Sequence, residues 1–314
     1  MKALREVWGE TLVEVANENP RLLLLDADVA NSTKADIFAA ARPERFIQLG
    51  IAEQNMVGTA VGLAGRGFVP WASSFTIFLT HRALDPIRML VAQTNANVKL
   101  AAAYSGLLTG LTGRTHQDVQ DLAIMRAMPN MTVLSPADPV ECAAMIRWAT
   151  DHVGPVYLRV ARDPAPDVFD ESYRFTPGVV HTIRDGSDVT LVSTGVQTSR
   201  LLGAADALEQ AGVSARIVHV PTIKPVDEDA LLAALEGSPL IVSVEEHSVL
   251  GGLGGLVAEL TSERGGFSPL RRIGLQDVWT ESAPNDFLLD KYGLSGERVA
   301  EQVLAFLGER EPVS

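Results

Sequence analysis

The chain has 314 residues, 46% hydrophobic and 21% charged, a composition of globular domains, about two by length, and not of a disordered chain. Its 39 acidic and 26 basic residues give a formal charge of −13 with no Lys/Arg run, which excludes a phosphate-tracking nucleic-acid binder. A single cysteine, Cys142, excludes an internal disulfide framework and a thiolate zinc site.

Met1 to Glu10 is charged and amphipathic, without the apolar core of a secretory signal. No stretch of about 18 apolar residues marks a membrane helix. The expectation is a soluble protein of a reducing compartment, the cytoplasm, with no membrane and no nucleic acid among its partners.

In chain order, Trp8, Leu12 and Val15 recur at helical spacing between Glu6 and Ala16. Arg21 to Leu25 then reads as a buried strand. Further strands are predicted at Phe46–Leu49, Phe68–Trp71, Val98–Ala103, Thr132–Leu134 and Val156–Val160. Helices are predicted between them at Gln54–Ala64, Leu79–Gln93, Val119–Ala127 and Val140–Thr150. Alternating helices and all-apolar strands imply a mostly parallel sheet covered on both faces.

Asp163-Pro164-Ala165-Pro166 and Thr176-Pro177-Gly178 interrupt this pattern with linker chemistry. A second α/β run follows. Its strands are predicted at Val189–Ser193, Ala215–Val220, Leu240–Val244 and Leu270–Ile273. Its helices are predicted near Thr198–Ala211, Glu228–Ala234, Gly252–Ser262 and Gly296–Phe306. The reading is two α/β domains, residues 1–170 and 171–314, each a mostly parallel sheet with helices on both faces.

Gly251-Gly252-Leu253-Gly254-Gly255 has the wrong spacing for a dinucleotide fingerprint and reads as close helix packing or a subunit contact. More informative is Gly50-Ile51-Ala52-Glu53-Gln54-Asn55-Met56, after a strand and at a helix start. Alone, Glu53 is an acid favoured by the helix dipole. Phe75 and Phe78, in Ser73 to Phe78, are alone core residues. His116, in Gly113-Arg114-Thr115-His116-Gln117-Asp118, is alone either a site residue or a surface one. All three segments fall at the C-terminal ends of predicted parallel strands, the edge where open α/β sheets bind ligands.

These segments, with Pro129-Asn130-Met131 and Gly154 to Arg162, resemble the C-terminal half of transketolases across essentially the whole chain. The likeness is greatest to the separate small subunit of split bacterial transketolases. It implies a pyrimidine-binding domain followed by a transketolase C-terminal domain. It also implies thiamine diphosphate as cofactor and transfer of a two-carbon ketol unit from a ketose phosphate to an aldehyde. By the same resemblance, Glu53 bonds the cofactor's N1′ atom and drives its tautomer change, with the protein supplying geometry and proton. Phe75 and Phe78 flank the pyrimidine, and His81 stands where the family commonly has a Tyr. Asp28 lies near the cofactor. His116 contacts the donor's hydroxyl and carbonyl region. Arg5, Ser32 and Arg162 grip the sugar phosphate, as guanidinium and hydroxyl groups suit. Two positions depart from the family on the substrate side. Thr112 replaces an Asp that reads an α-hydroxyl, and Tyr104 replaces a His of the phosphate and acceptor grip.

The family anchors the diphosphate through Mg2+, held by a G-D-G segment and a later Asn. No G-D-G occurs in this chain, and Arg184-Asp185-Gly186-Ser187 reads as a turn. The resemblance therefore implies a partner, an N-terminal transketolase subunit carrying the diphosphate-binding domain and the magnesium, in an α2β2 assembly. A β subunit of a 2-oxoacid dehydrogenase and a non-catalytic protein on the same fold are the competing readings.

Overall fold

The computed structural model describes residues 1–309. Its strands in chain order are β1 Lys2–Ala3, β2 Leu22–Asp26, β3 Phe46–Gln48, β4 Val69–Phe75, β5 Lys99–Ala103, β6 Thr132–Leu134 and β7 Val156–Val160. They continue with β8 Pro164–Ala165, β9 His181–Arg184, β10 Val189–Ser193, β11 Ala215–His219, β12 Thr222–Lys224, β13 Ile241–Ser248 and β14 Leu270–Leu275. A seven-stranded sheet has the order β12-β6-β7-β5-β4-β2-β3. All of its pairings are parallel except that of β12 with β6. A five-stranded sheet has the order β14-β13-β10-β11-β9, with only β9 antiparallel. The α/β architecture expected from the alternating pattern is the one observed.

The strands are apolar because both faces are covered. Leu25, Ala72 and Leu100 pack under Met56, Val57 and Ala60 of the helix Glu53–Ala64. On the other face Leu24, Trp71 and Ala101 meet Leu4, Trp8 and Leu12 of the helix Leu4–Glu18 and Cys142, Met145 and Ile146 of the helix Pro139–Asp151. The second sheet buries Leu191, Ile217 and Val242 against Leu201 and Leu208 of the helix Gln197–Gln210 and Val299 and Val303 of the helix Gly296–Gly308. No described helix is long and apolar enough to cross a membrane.

Several expectations need correction. The predicted helix Leu79–Gln93 is a turn of π-helix at Phe78–Arg82, a short helix Leu84–Pro86 and a second π-helical segment Ile87–Ala92. Pro86 lacks the N–H a regular helix needs there. The strand predicted to end at Trp71 runs on through Phe75, because Ser73 and Ser74 stay in register with β5. Strands β1, β8, β9 and β12 give no sequence signal of their own. The Gly251 run does pack closely: a Cβ at Gly252 would lie 2.1 Å from Glu245 Oε2. That carboxylate caps the next helix, accepting from the Leu253 and Gly254 N–H groups at 2.7 and 2.8 Å.

Lys99 begins β5 at the end remote from the ligand-binding edge and is fully buried. Its ammonium donates to the His152 and Gly154 carbonyls at 2.7 and 2.6 Å. Burial lowers its pKa from 10.5 to about 7. Between those values the unfolded chain holds the extra proton, so this residue makes stability rise with pH. Urea melts at about pH 7.5 and about pH 8.5 should show the wild type gaining roughly 1 kcal/mol relative to Lys99→Met. Parallel pH slopes in the two proteins would mean that the folded ammonium keeps its charge.

Candidate active site

Glu53 is the first residue of its helix and only 4% exposed. Gly50, at φ 71°, lies in the turn between β3 and this helix. Its Oε1 accepts from Arg82 Nη1 at 3.3 Å. The Arg82 guanidinium carbon lies 3.9 Å from the centre of the Phe78 ring. Sequence reading missed Arg82, which closes a π-helical turn that begins at Phe78.

Four rings cluster beyond Arg82 and, with Glu53, mark the candidate slot. Phe75 ends β4, and its centroid is 5.6 Å from Phe78 and 4.4 Å from Tyr104, the latter stacked. His116 presents its ring at 63–64° to both phenylalanines, at 5.6 Å from Phe75 and 5.4 Å from Phe78. The structure brings Phe75, Phe78 and His116 into one cluster, and Arg82 links Glu53 to it through Phe78. Burial, and secondly the Arg82 charge, hold the His116 imidazole below the ordinary histidine range. It is neutral near pH 7 and can both donate and accept.

His81 faces the rim, with Nδ1 2.8 Å from Thr80 Oγ1. The Thr80 hydroxyl donates in turn to Asp118 Oδ2. Asp118 is buried, and burial together with the neighbouring Asp121 pushes its carboxyl up. Thr80 lies outside the motif segments, and Asp118, although it ends the His116 segment, was given no role of its own.

A second cluster adjoins the slot through Tyr104. The φ of 57° at Tyr104 turns its side chain off the end of β5. Arg5 Nη1 donates to the Tyr104 hydroxyl at 2.9 Å and to the Ser32 carbonyl at 2.8 Å. Arg5 and Arg162 lie 5.4 and 5.5 Å from the centre of the Tyr104 ring. The short antiparallel ladder of β1 and β8 causes this meeting, pairing Lys2 with Ala165 and Ala3 with Pro164. The Nε atoms of both arginines are buried without a hydrogen-bond partner. Ser32 reaches Arg5 through its carbonyl; its hydroxyl bonds Asn31 Oδ1 at 3.3 Å. Asp28 stands exposed with φ 63°, its N–H donating to Gln48 Oε1 at 2.9 Å. Thr112 is exposed, its hydroxyl 3.1 Å from the Thr109 carbonyl and 2.8 Å from the Thr109 hydroxyl.

The second domain holds the loop that carries Thr112 and His116. Glu246, in β13, accepts from the Leu107 and Leu108 N–H groups at 2.9 and 3.3 Å. Its other oxygen accepts from Arg200 at 2.6 Å. A Cβ at Gly106 would lie 2.3 Å from Glu246 Oε1, and Gly106 has φ 82°, so glycine is required twice over. Gly110 N–H donates to Asn285 Oδ1 at 3.0 Å. Among the described residues no group of three or more His, Cys, Asp or Glu side chains is placed to hold a metal ion.

Residues 1–166 match the model of the transketolase pyrimidine-binding domain, and residues 178–299 that of the transketolase C-terminal domain. A protein of Methanocaldococcus jannaschii described as a putative transketolase C-terminal section is 41% identical over 96% of both chains. A 6-deoxy-6-sulfo-D-fructose transketolase subunit of a Clostridium species is 37% identical over 94% of this chain and 92% of that one. A solved split-gene transketolase, described as an inactive β4 tetramer, superposes with a TM-score of 0.90 at 42% identity, over 99% of this chain and 100% of that one. On these matches, which run through both domains, the chain belongs to the transketolase family.

Proposed function

We propose that this chain is the pyrimidine-binding subunit of a two-chain transketolase that moves a two-carbon ketol unit from a ketose phosphate to an aldehyde. The observation that carries the reading is one buried carboxylate, Glu53, linked through Arg82 to the ring cluster of Phe75, Phe78 and His116. Thiamine diphosphate, when bound, supplies the carbanion-stabilising chemistry of this family. The slot fits its flat pyrimidine: aromatic faces orient a ring and exclude water, and a carboxylate at the edge exchanges a proton with a ring nitrogen. Glu53 is the residue assigned that proton, at N1′. His116 is assigned to the donor's hydroxyl and carbonyl. Asp28 and His81 are assigned to the cofactor side.

Arg5, Arg162, Ser32 and Tyr104 are assigned to the substrate's anionic end. The relative named for a sulfo-sugar acts on a substrate with a sulfonate, and a paired guanidinium site suits either oxyanion. Thr112 is assigned to the position that reads the α-hydroxyl in the family.

An N-terminal partner subunit completes the enzyme, holding the diphosphate and Mg2+, and the assembly is α2β2. The missing G-D-G segment supports this, as does the description of the related β4 tetramer as inactive. The units divide at residue 170, into 1–170 and 171–314, between the spans of the two domain models. Sugar-phosphate chemistry and a lone buried thiol suit the cytoplasm.

Reconstitution with an N-terminal transketolase subunit tests the reading. Ketol transfer between sugar phosphates is expected. Activity on pyruvate with a lipoyl acceptor would make the chain a dehydrogenase subunit, and no turnover on either would make it non-catalytic. The isolated chain should show no tight thiamine diphosphate binding by calorimetry with magnesium present. Micromolar affinity for the chain alone would remove the two-subunit reading.

A further inference from the structure

Arg82 belongs to none of the motifs that mark the site, yet its guanidinium touches two of the site's residues. Nη1 is 3.3 Å from Glu53 Oε1, and the guanidinium carbon is 3.9 Å from the centre of the Phe78 ring. A flat delocalised cation favours these two contacts, a carboxylate at its edge and an aromatic face beneath it. A bound aminopyrimidine would use the same two groups, a hydrogen bond at the carboxylate and an aromatic neighbour on its face. Two flat groups on the same Phe78 face and the same Glu53 oxygen would exclude each other.

Resting on the assignment of Glu53 and Phe78 to the pyrimidine slot, we propose that Arg82 is an internal stand-in for the aminopyrimidine. It fills the slot and neutralises Glu53 in the cofactor-free protein, and it leaves as the cofactor enters.

The local structure suits such an exchange. Arg82 ends the π-helical turn Phe78–Arg82, and its carbonyl accepts from Gln54 Nε2 at 2.9 Å. Its backbone is thereby tied to the helix that carries Glu53. Its side chain is 50% exposed against 4% for Glu53, so the guanidinium can swing into water while the carboxylate stays. A buried carboxylate stripped of its counter-charge is costly. Exchange of one partner for another avoids that state. The closed slot also lowers apparent cofactor affinity by the ratio of closed to open forms. A half-exposed cation–π contact and an ion pair together make that ratio about 5 to 30.

Two measurements decide it. On the chain alone, carbodiimide labelling of Glu53 is followed by peptide mass spectrometry in wild type and Arg82→Ala, with exposed Glu44 as the control. Arg82→Ala should label Glu53 several-fold faster and Glu44 at an unchanged rate. Equal Glu53 rates would mean that the slot is not plugged in solution and would overturn the proposal. On the complex with an N-terminal subunit, calorimetry with thiamine diphosphate should show Arg82→Ala binding about 5- to 30-fold more tightly than wild type, with Arg82→Lys between them. Weaker binding by Arg82→Ala would make Arg82 a cofactor ligand and overturn the stand-in. A wild-type complex that binds no cofactor removes the proposed function, while the labelling result still decides whether Arg82 covers Glu53.

Discussion

Glu53→Gln should lower turnover of the reconstituted enzyme by ~10²–10⁴-fold, the usual contribution of a general acid–base group. Gln keeps the shape of Glu and can still accept a hydrogen bond from Arg82. It cannot take or give the proton that the role requires. Folding should survive, because Glu53 reaches the slot from the first turn of its helix and the core contacts of that helix are made by Met56, Val57 and Ala60. The measurement is steady-state ketol transfer with saturating partner subunit, beside a thermal melt of the same sample. Near-normal turnover with an unchanged melt would mean that another carboxylate carries the proton. Asp118 is the next to substitute: it is buried, its carboxyl is pushed up by burial and by Asp121, and Thr80 links it to His81 at the rim.

The parallel sheets were legible because their strands are continuous apolar runs between helical stretches. The slot was legible for a related reason: Glu53, Phe75 and His116 each follow a strand or its loop, so all three had to reach one sheet edge. What escaped reading depends on pairings between distant residues. Two-residue strands such as β1 and β8 have no periodicity, yet their pairing is what sets Arg5 beside Arg162. Strand β12 follows the linker chemistry by some fifty residues of sequence in the second α/β run, and still joins the first sheet, Thr222 against Leu134. The π-helical turn at Phe78–Arg82 shifts side-chain phase by one residue relative to a regular helix, so helical periodicity could not place Arg82 over Phe78. The hold of Glu246 on the Leu107 and Leu108 N–H groups joins residues 138 and more positions apart, and nothing local announces it.

Arg162→Ala should raise KM for a phosphorylated acceptor about 10- to 150-fold, the worth of a charge-assisted contact, and leave the unphosphorylated analogue nearly unchanged. The basis is that Arg5 and Arg162 both lie within 5.5 Å of the centre of one Tyr104 ring while keeping buried Nε atoms without partners. Such a donor pair is set for an oxyanion with several acceptor oxygens. Arg162 also pairs with Asp163 at 2.8 Å, so its loss leaves that half-exposed carboxylate to water and not to a buried void. The α-hydroxyl side should behave differently. The Thr112 hydroxyl is turned to Thr109 and offers no carboxylate, so discrimination between acceptors with and without that hydroxyl should be weak. A branched or otherwise unusual sugar should then be accepted about as readily as a common pentose. The measurement is kcat/KM for four acceptors, with and without phosphate and with and without the α-hydroxyl, in wild type and in Arg162→Ala. Equal losses on phosphorylated and free sugars would make Arg162 structural, a brace for Tyr104, and would return the anionic end of the substrate to Arg5 alone.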